Sequence, residues 1–290
     1  MKYPGGKAGM TDLLLPLIPY DHAYVEPFGG AGGVLLNRRP SPVEVINDLD
    51  GCLAALYRVL RDPGQFRHFG YLVEATLFGK VSQNQAAALV QQARAGVPLG
   101  DMTKAWAIYV QQNQSVVAST HRTKGQWARS MVTSGGVASV IAGWDSLKGN
   151  LPAIHQRMRN VQVDCRPAED VIRGWDSPTT VFYIDPPYVL DTRVEKSMYA
   201  REMLASEHVE LVLLLNEVSG AVVLSGYDHP IYEKLEGFTP HTFEVLTSMT
   251  ASQRGEGEGW DREARPRGLR TEMVWCNEKA ETATREGRLF

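Results

Sequence analysis

The run Val181-Phe182-Tyr183-Ile184 followed by Asp185-Pro186-Pro187-Tyr188 constrains this chain more than any other stretch. The four apolar residues read as a buried strand. In open α/β sheets the carboxyl end of a strand is where ligands sit. Asp185 can accept hydrogen bonds from an amino group. The prolines have no N–H, so the loop offers carbonyl acceptors without competing donors. Tyr188 adds a flat face on which a nucleobase can stack. Together these residues suit a planar ring bearing an exocyclic amine.

A second motif lies upstream. Residues 23–28 read as a strand, followed by Gly29-Gly30-Ala31-Gly32-Gly33, a helical stretch from Val34-Leu35-Leu36, and a strand at 43–46 ending in Asn47-Asp48. A glycine turn lets a ligand approach the backbone closely. A helix N-terminus beyond it would favour a carboxylate, such as that of a methionine moiety. Asp48 stands where α/β nucleotide-binding folds place an acid for ribose hydroxyls. The turn does not fit the G-x-G-x-x-G of dinucleotide sites, and nothing fits the G-x-x-x-x-G-K-[ST] of triphosphate sites. A nucleoside with a methionine tail explains the pattern better than NAD or ATP.

The 290 residues allow one large domain or two smaller ones, with 43% hydrophobic and 22% charged side chains, as in soluble globular proteins. No apolar run is long enough for a membrane span, and the N-terminus lacks the apolar core of a signal peptide, so a cytoplasmic protein is expected. Cys52, Cys165 and Cys276 are scattered. They form no metal-ligand spacing, and no metal is expected. None follows a proline. The net charge is −3, yet residues 57–150 hold ten basic and four acidic side chains, a balance suited to a polyanion.

That middle segment reads as mostly helical, with helices at 83–95 and 104–117 and a hairpin or loop over 118–137. Strand–helix alternation resumes near 151, with strands at 161–163, 181–184, 221–224 and 271–276 and a helix over 201–218. Residues 252–270 read as a flexible loop and the tail after Glu278 as frayed. The expected organisation is an α/β sheet domain, 1–56 and 151–290, interrupted by a helical insertion, 57–150.

At this point the residues resemble a known family, the DNA adenine methyltransferases of the Dam type (the D12 class). Lys2-Tyr3-Pro4-Gly5-Gly6-Lys7 resembles the family's N-terminal motif, usually with Trp at Tyr3 and Ala at Pro4. Tyr24-Val25-Glu26-Pro27-Phe28-Gly29-Gly30-Ala31-Gly32 resembles its cofactor loop, Asn47-Asp48 its acidic residue, Asp185-Pro186-Pro187-Tyr188 its catalytic motif and Glu272-Met273-Val274-Trp275-Cys276-Asn277 its closing strand. The resemblance implies a Rossmann-like S-adenosylmethionine-dependent methyltransferase sheet, with target recognition in the insertion. It implies Asp185, Pro186 and Tyr188 as catalytic, and Tyr3, Lys7, Glu26, Phe28, Gly30, Gly32, Asp48 and Asp185 as cofactor-binding. The family's Arg-Asn and Gly-Phe-Asn run is replaced here by His121-Arg122-Thr123-Lys124-Gly125-Gln126-Trp127-Ala128-Arg129.

The implied partner is double-stranded DNA; a monomer is the default expectation. The expected reaction moves a methyl group from S-adenosylmethionine to the N6 amino group of an adenine rotated out of the helix. Arg122, Lys124, Gln126 and Arg129 are candidates for DNA contact, because arginine reads guanine edges and glutamine reads adenine. Lys2 is expected at the border of the base pocket. Methylation of cytosine N4 and a catalytically inactive DNA-binding relative are the alternatives.

Overall fold

The computed structural model describes residues 6–115, 127–192, 202–246 and 269–287. In chain order the elements are α1 (Thr11–Leu14), β1 (Ala23–Glu26), β2 (Val43–Asn47), α2 (Gly51–Arg61), α3 (Pro63–Ala75), α4 (Lys80–Arg94), α5 (Asp101–Gln114), β3 (Thr133–Ser134) and β4 (Val137–Ala138). There follow α6 (Ser139–Met158), β5 (Val161–Asp164), α7 (Ala168–Trp175), β6 (Thr180–Ile184), α8 (Ala205–Glu217), β7 (Ala221–Gly226), β8 (Phe238–Leu246), β9 (Leu269–Asn277) and α9 (Glu278–Arg285). Among the described residues no helix is long and apolar enough to cross a membrane.

Seven strands form one sheet in the order β5-β2-β1-β6-β7-β9-β8. The first five are parallel, and β9 runs antiparallel between β7 and β8. This is a mixed, mostly parallel α/β sheet with a Rossmann-like strand order. Every residue of β1, β6 and β7 is buried, as central strands covered on both faces require. Side chains alternate between two cores. Tyr24, Val181, Tyr183 and Val223 join a cluster with α2 to α6. Val25, Phe182, Ile184, Val222 and Leu224 join another with α7 and α8.

The strand order reverses between β1 and β6, which pair in parallel with Val25 opposite Phe182. The chain leaving β1 moves outward through β2 and β5, and the chain leaving β6 moves outward the other way. Their carboxyl ends therefore diverge and leave a crevice. Glu26 ends β1 and Asp185 follows β6, so both sit at its floor.

Several expectations need correction. Val34-Leu35-Leu36 opens no helix; it forms a turn in which Leu36 N–H donates to the Gly32 carbonyl at 2.9 Å and Arg38 N–H to the Val34 carbonyl at 3.0 Å. The tail after Glu278 is helix α9, capped by the Asn277 side chain accepting from Ala280 N–H. Helix α3 was not anticipated; Asp62 caps it and Pro63 occupies its first turn, a start signal that glycines at 64 and 70 obscured. The boundaries at 56/57 and 150/151 fall inside the continuous helices α2 and α6.

Candidate active site

The first corner is the turn after β1. Gly29 N–H donates to the Asn47 carbonyl at 2.7 Å. The backbone presses so close to β2 that a Cβ on Gly29 would lie 2.5 Å from Ile46 Cγ1 and 2.9 Å from that same carbonyl oxygen. Gly30 has φ +51°, a conformation that favours glycine. Its N–H donates to Asp48 Oδ2 at 2.9 Å, and its carbonyl accepts from the Tyr57 hydroxyl on α2. Asp48 Oδ1 accepts from Asp50 N–H at 2.8 Å, and Asp50 caps α2 by accepting from Cys52 N–H. Asn47 ties three strand ends together. It donates to the carbonyls of Pro27 and Arg166 and accepts from Arg166 N–H at 2.9 Å.

The second corner is Asp185 to Tyr188. Lys7 Nζ lies 2.8 Å from Asp185 Oδ1 and 4.7 Å from the centre of the Tyr188 ring. The Tyr188 hydroxyl donates to Glu272 Oε2 at 2.7 Å. The Tyr227 ring meets Tyr188 edge-on, with centroids 4.4 Å apart. Tyr188 is therefore 5% exposed. An ammonium group and a second ring stand against the ring expected from sequence to receive a base. Pro186 is buried, and Pro187 faces the crevice.

Both corners open onto one cleft of about 580 Å³. Its wall includes Lys7, Glu26, Phe28, Gly30, Asp48, Leu49, Asp185 and Pro187, with Arg94 and Lys104 from α4 and α5 and Arg166 and Glu169 from the β5–α7 region. Gly32, with φ +67°, packs beside Ile46 and Leu36 beneath the turn. Lys2, Tyr3, Arg122, Lys124 and Gln126 lie outside the described residues. Arg129 is exposed, two residues beyond the bridge that pairs Ser115 with Trp127. Asn47, Tyr57 and Glu272 were not singled out as site residues. A polar residue ending a strand next to Asp48 was the available signal for Asn47; Tyr57 had none.

Burial raises the acids of the cleft in spite of the cations near them. Burial pushes the Glu26 carboxyl up to about 7, although the Tyr24 hydroxyl donates to it at 2.7 Å. Burial, then the charge of Asp50, pushes Asp48 up to about 6. Burial also raises Asp185, opposed by Lys7. Carboxyl groups in this condition favour a ligand that is cationic or donates hydrogen bonds.

No curated protein matches the chain. Residues 3–92, which carry Lys7, the glycine turn and Asp48, match the family model described as D12 class N6 adenine-specific DNA methyltransferase.

Proposed function

We propose that this chain is an S-adenosylmethionine-dependent DNA methyltransferase that modifies the N6 amino group of adenine in double-stranded DNA. The observation that carries the reading is the single cleft joining the glycine turn to Asp185. The residues present fit the cofactor. Asp48 is a half-buried acceptor placed for ribose hydroxyls, and Glu26 and Asp185 are carboxyl groups that a sulfonium or ammonium would stabilise in their charged form. Lys7, Glu26, Phe28, Gly30, Asp48 and Asp185 would hold it, with Tyr3 added from the family motif; Gly32 would act only by shaping the turn. The bound cofactor supplies an electrophilic methyl group.

The rest of the chemistry falls to the chain's own groups. The adenine amine is a poor nucleophile because its lone pair is delocalised into the ring. Asp185 and the Pro186 carbonyl accept its hydrogens and draw the lone pair out of conjugation, so that nitrogen can attack in line. Positioning and fixed dipoles provide most of the acceleration. The methylated amine loses its proton afterwards, and no covalent enzyme intermediate forms.

A duplex base must leave the stack to reach this cleft. Stacking on Tyr188 would offset roughly 1–3 kcal/mol of that cost. For a ring to take that face, Lys7 must withdraw from the position it holds 4.7 Å above it. Target recognition is assigned to the helical segment 57–150, with Arg122, Lys124, Gln126 and Arg129 as contacts and Lys2 at the pocket rim. Among the described residues, three of the basic side chains of that segment are held in ion pairs within the fold: Arg58 with Asp101, Arg94 with Asp50 and Lys148 with Asp145. The footprint offered to DNA is thus smaller than the sequence count implies.

The test is mass spectrometry of nucleosides from DNA treated with the purified chain and methyl-labelled cofactor. Label in N6-methyladenine supports the reading. Label in N4-methylcytosine selects that alternative, and label in neither leaves a DNA-binding relative without transferase activity.

A further inference from the structure

Strand β9 carries two charged residues on a face that is otherwise core. Val274 and Cys276 project into the larger apolar cluster, and the period of two places Glu272 and Arg270 on the same face. Glu272 is buried. An acid there is costly unless a hydrogen bond compensates it, and the Tyr188 hydroxyl provides one at 2.7 Å. Arg270 donates to the Tyr227 hydroxyl at 3.0 Å, and the Tyr227 and Tyr188 rings meet in a T-shaped contact with centroids 4.4 Å apart. Both braces converge on one aromatic ring, and they reach it from a strand distant in sequence from both corners of the cleft.

We infer that Glu272 is a positioning residue for Tyr188: it fixes the ring by its hydroxyl, while Arg270 fixes the flanking Tyr227. The inference rests on the reading of Tyr188 as the platform for an extruded base. Without the hydroxyl anchor, the ring is free to swing about its Cα–Cβ bond toward Tyr227 or Lys7, and its face leaves the position from which it would receive a base beside Asp185. Burial, with the charges of Asp185 and Glu272 beside it, holds the Tyr188 phenol well above its ordinary range, so it stays a donor at any working pH.

The experiment is a double-mutant cycle on turnover at saturating DNA and cofactor, with an independent view of the ring. Glu272→Leu should lower turnover about tenfold, with little change in cofactor affinity. Glu272→Gln, which keeps an acceptor oxygen, should recover most of the loss. In a Tyr188→Phe background, Glu272→Leu should lower turnover less than about twofold further, since the anchor is already gone. An equal tenfold loss in that background would overturn the inference. Should Glu272→Leu not fold, Tyr188→Phe alone tests the anchor, and undiminished turnover would overturn it. Fluorine NMR of protein labelled with 3-fluorotyrosine follows the ring without reference to catalysis, the Tyr188 signal being the one absent from Tyr188→Phe. That signal should move or broaden in Glu272→Leu and stay in place in Glu272→Gln; an unmoved signal in Glu272→Leu overturns the positioning role. If the wild-type chain methylates no DNA, the proposed function fails, and the NMR arm still decides whether Glu272 holds the ring.

Discussion

Gly30 N–H donates to Asp48 Oδ2 at 2.9 Å, across eighteen residues of chain. The acid assigned to the cofactor's ribose is thus also the clasp that holds the glycine turn in shape. Asp48→Ala leaves the N–H groups of Gly30 and Asp50 without their acceptor. It should destabilise the protein by about 1–3 kcal/mol and weaken cofactor binding at least tenfold. Urea denaturation and calorimetric titration with S-adenosylmethionine measure the two effects. Loss of affinity with unchanged stability would mean that the clasp contributes nothing to the fold.

Gly29→Ala should damage the same corner by a different route. The new methyl would meet Ile46 Cγ1 and the Asn47 carbonyl, and the backbone oxygen cannot retreat without opening β2. Overpacking of this kind costs about 1–3 kcal/mol. Gly70→Ala is the control: α3 has open space there, and removing a glycine from a helix interior should stabilise by about 0.5–1 kcal/mol. Thermal melts of the two variants should move in opposite directions.

Glu26 predicts a pH dependence of the ligand-free protein. Its carboxyl is raised from 4.5 to about 7 by burial. The folded state therefore holds a proton that the unfolded state has released, and stability falls with rising pH through this window. The contribution is complete below about 4.5 and gone above about 7. Its full size is on the order of 3 kcal/mol. Asp48 acts in the same direction between 3.8 and about 6. Glu26→Gln, neutral at all pH, should flatten the fall between pH 5 and 8, and at pH 8 it should be the more stable protein in denaturant. An unchanged slope would show that Glu26 does not titrate in this range.

The strands were legible because central parallel strands are short apolar runs. Val181 to Ile184 and Ala221 to Leu224 could be little else, and the motifs after β1 and β6 stand at the two corners of the cleft. What could not be read was how remote chain closes the site. Glu272 lies 84 residues after Tyr188, and no local pattern reports their hydrogen bond. Arg157 was invisible for the same reason. It comes from α6, inside the stretch where a domain boundary was expected. With Arg38 it joins the buried Glu44, and its second nitrogen donates to the Leu35 carbonyl just past the glycine turn at 2.7 Å. Charge counting overstated the basic surface because sequence does not show which arginines turn inward, as Arg94 does to meet Asp50. The short turn after Gly33 reads as a helix in the sequence because three apolar residues carry no information about where a hydrogen-bonded ladder stops.

The central claim is that Asp185 serves an acceptor amine delivered beside a cofactor held in the same cleft. The direct measurement is single-turnover transfer of labelled methyl to DNA by Asp185→Ala, at cofactor concentrations shown by calorimetry to saturate the variant. The account predicts a folded protein that binds cofactor and transfers methyl roughly a hundred to a thousand times more slowly than the unaltered chain. Transfer at close to the normal rate by a saturated Asp185→Ala protein would contradict it.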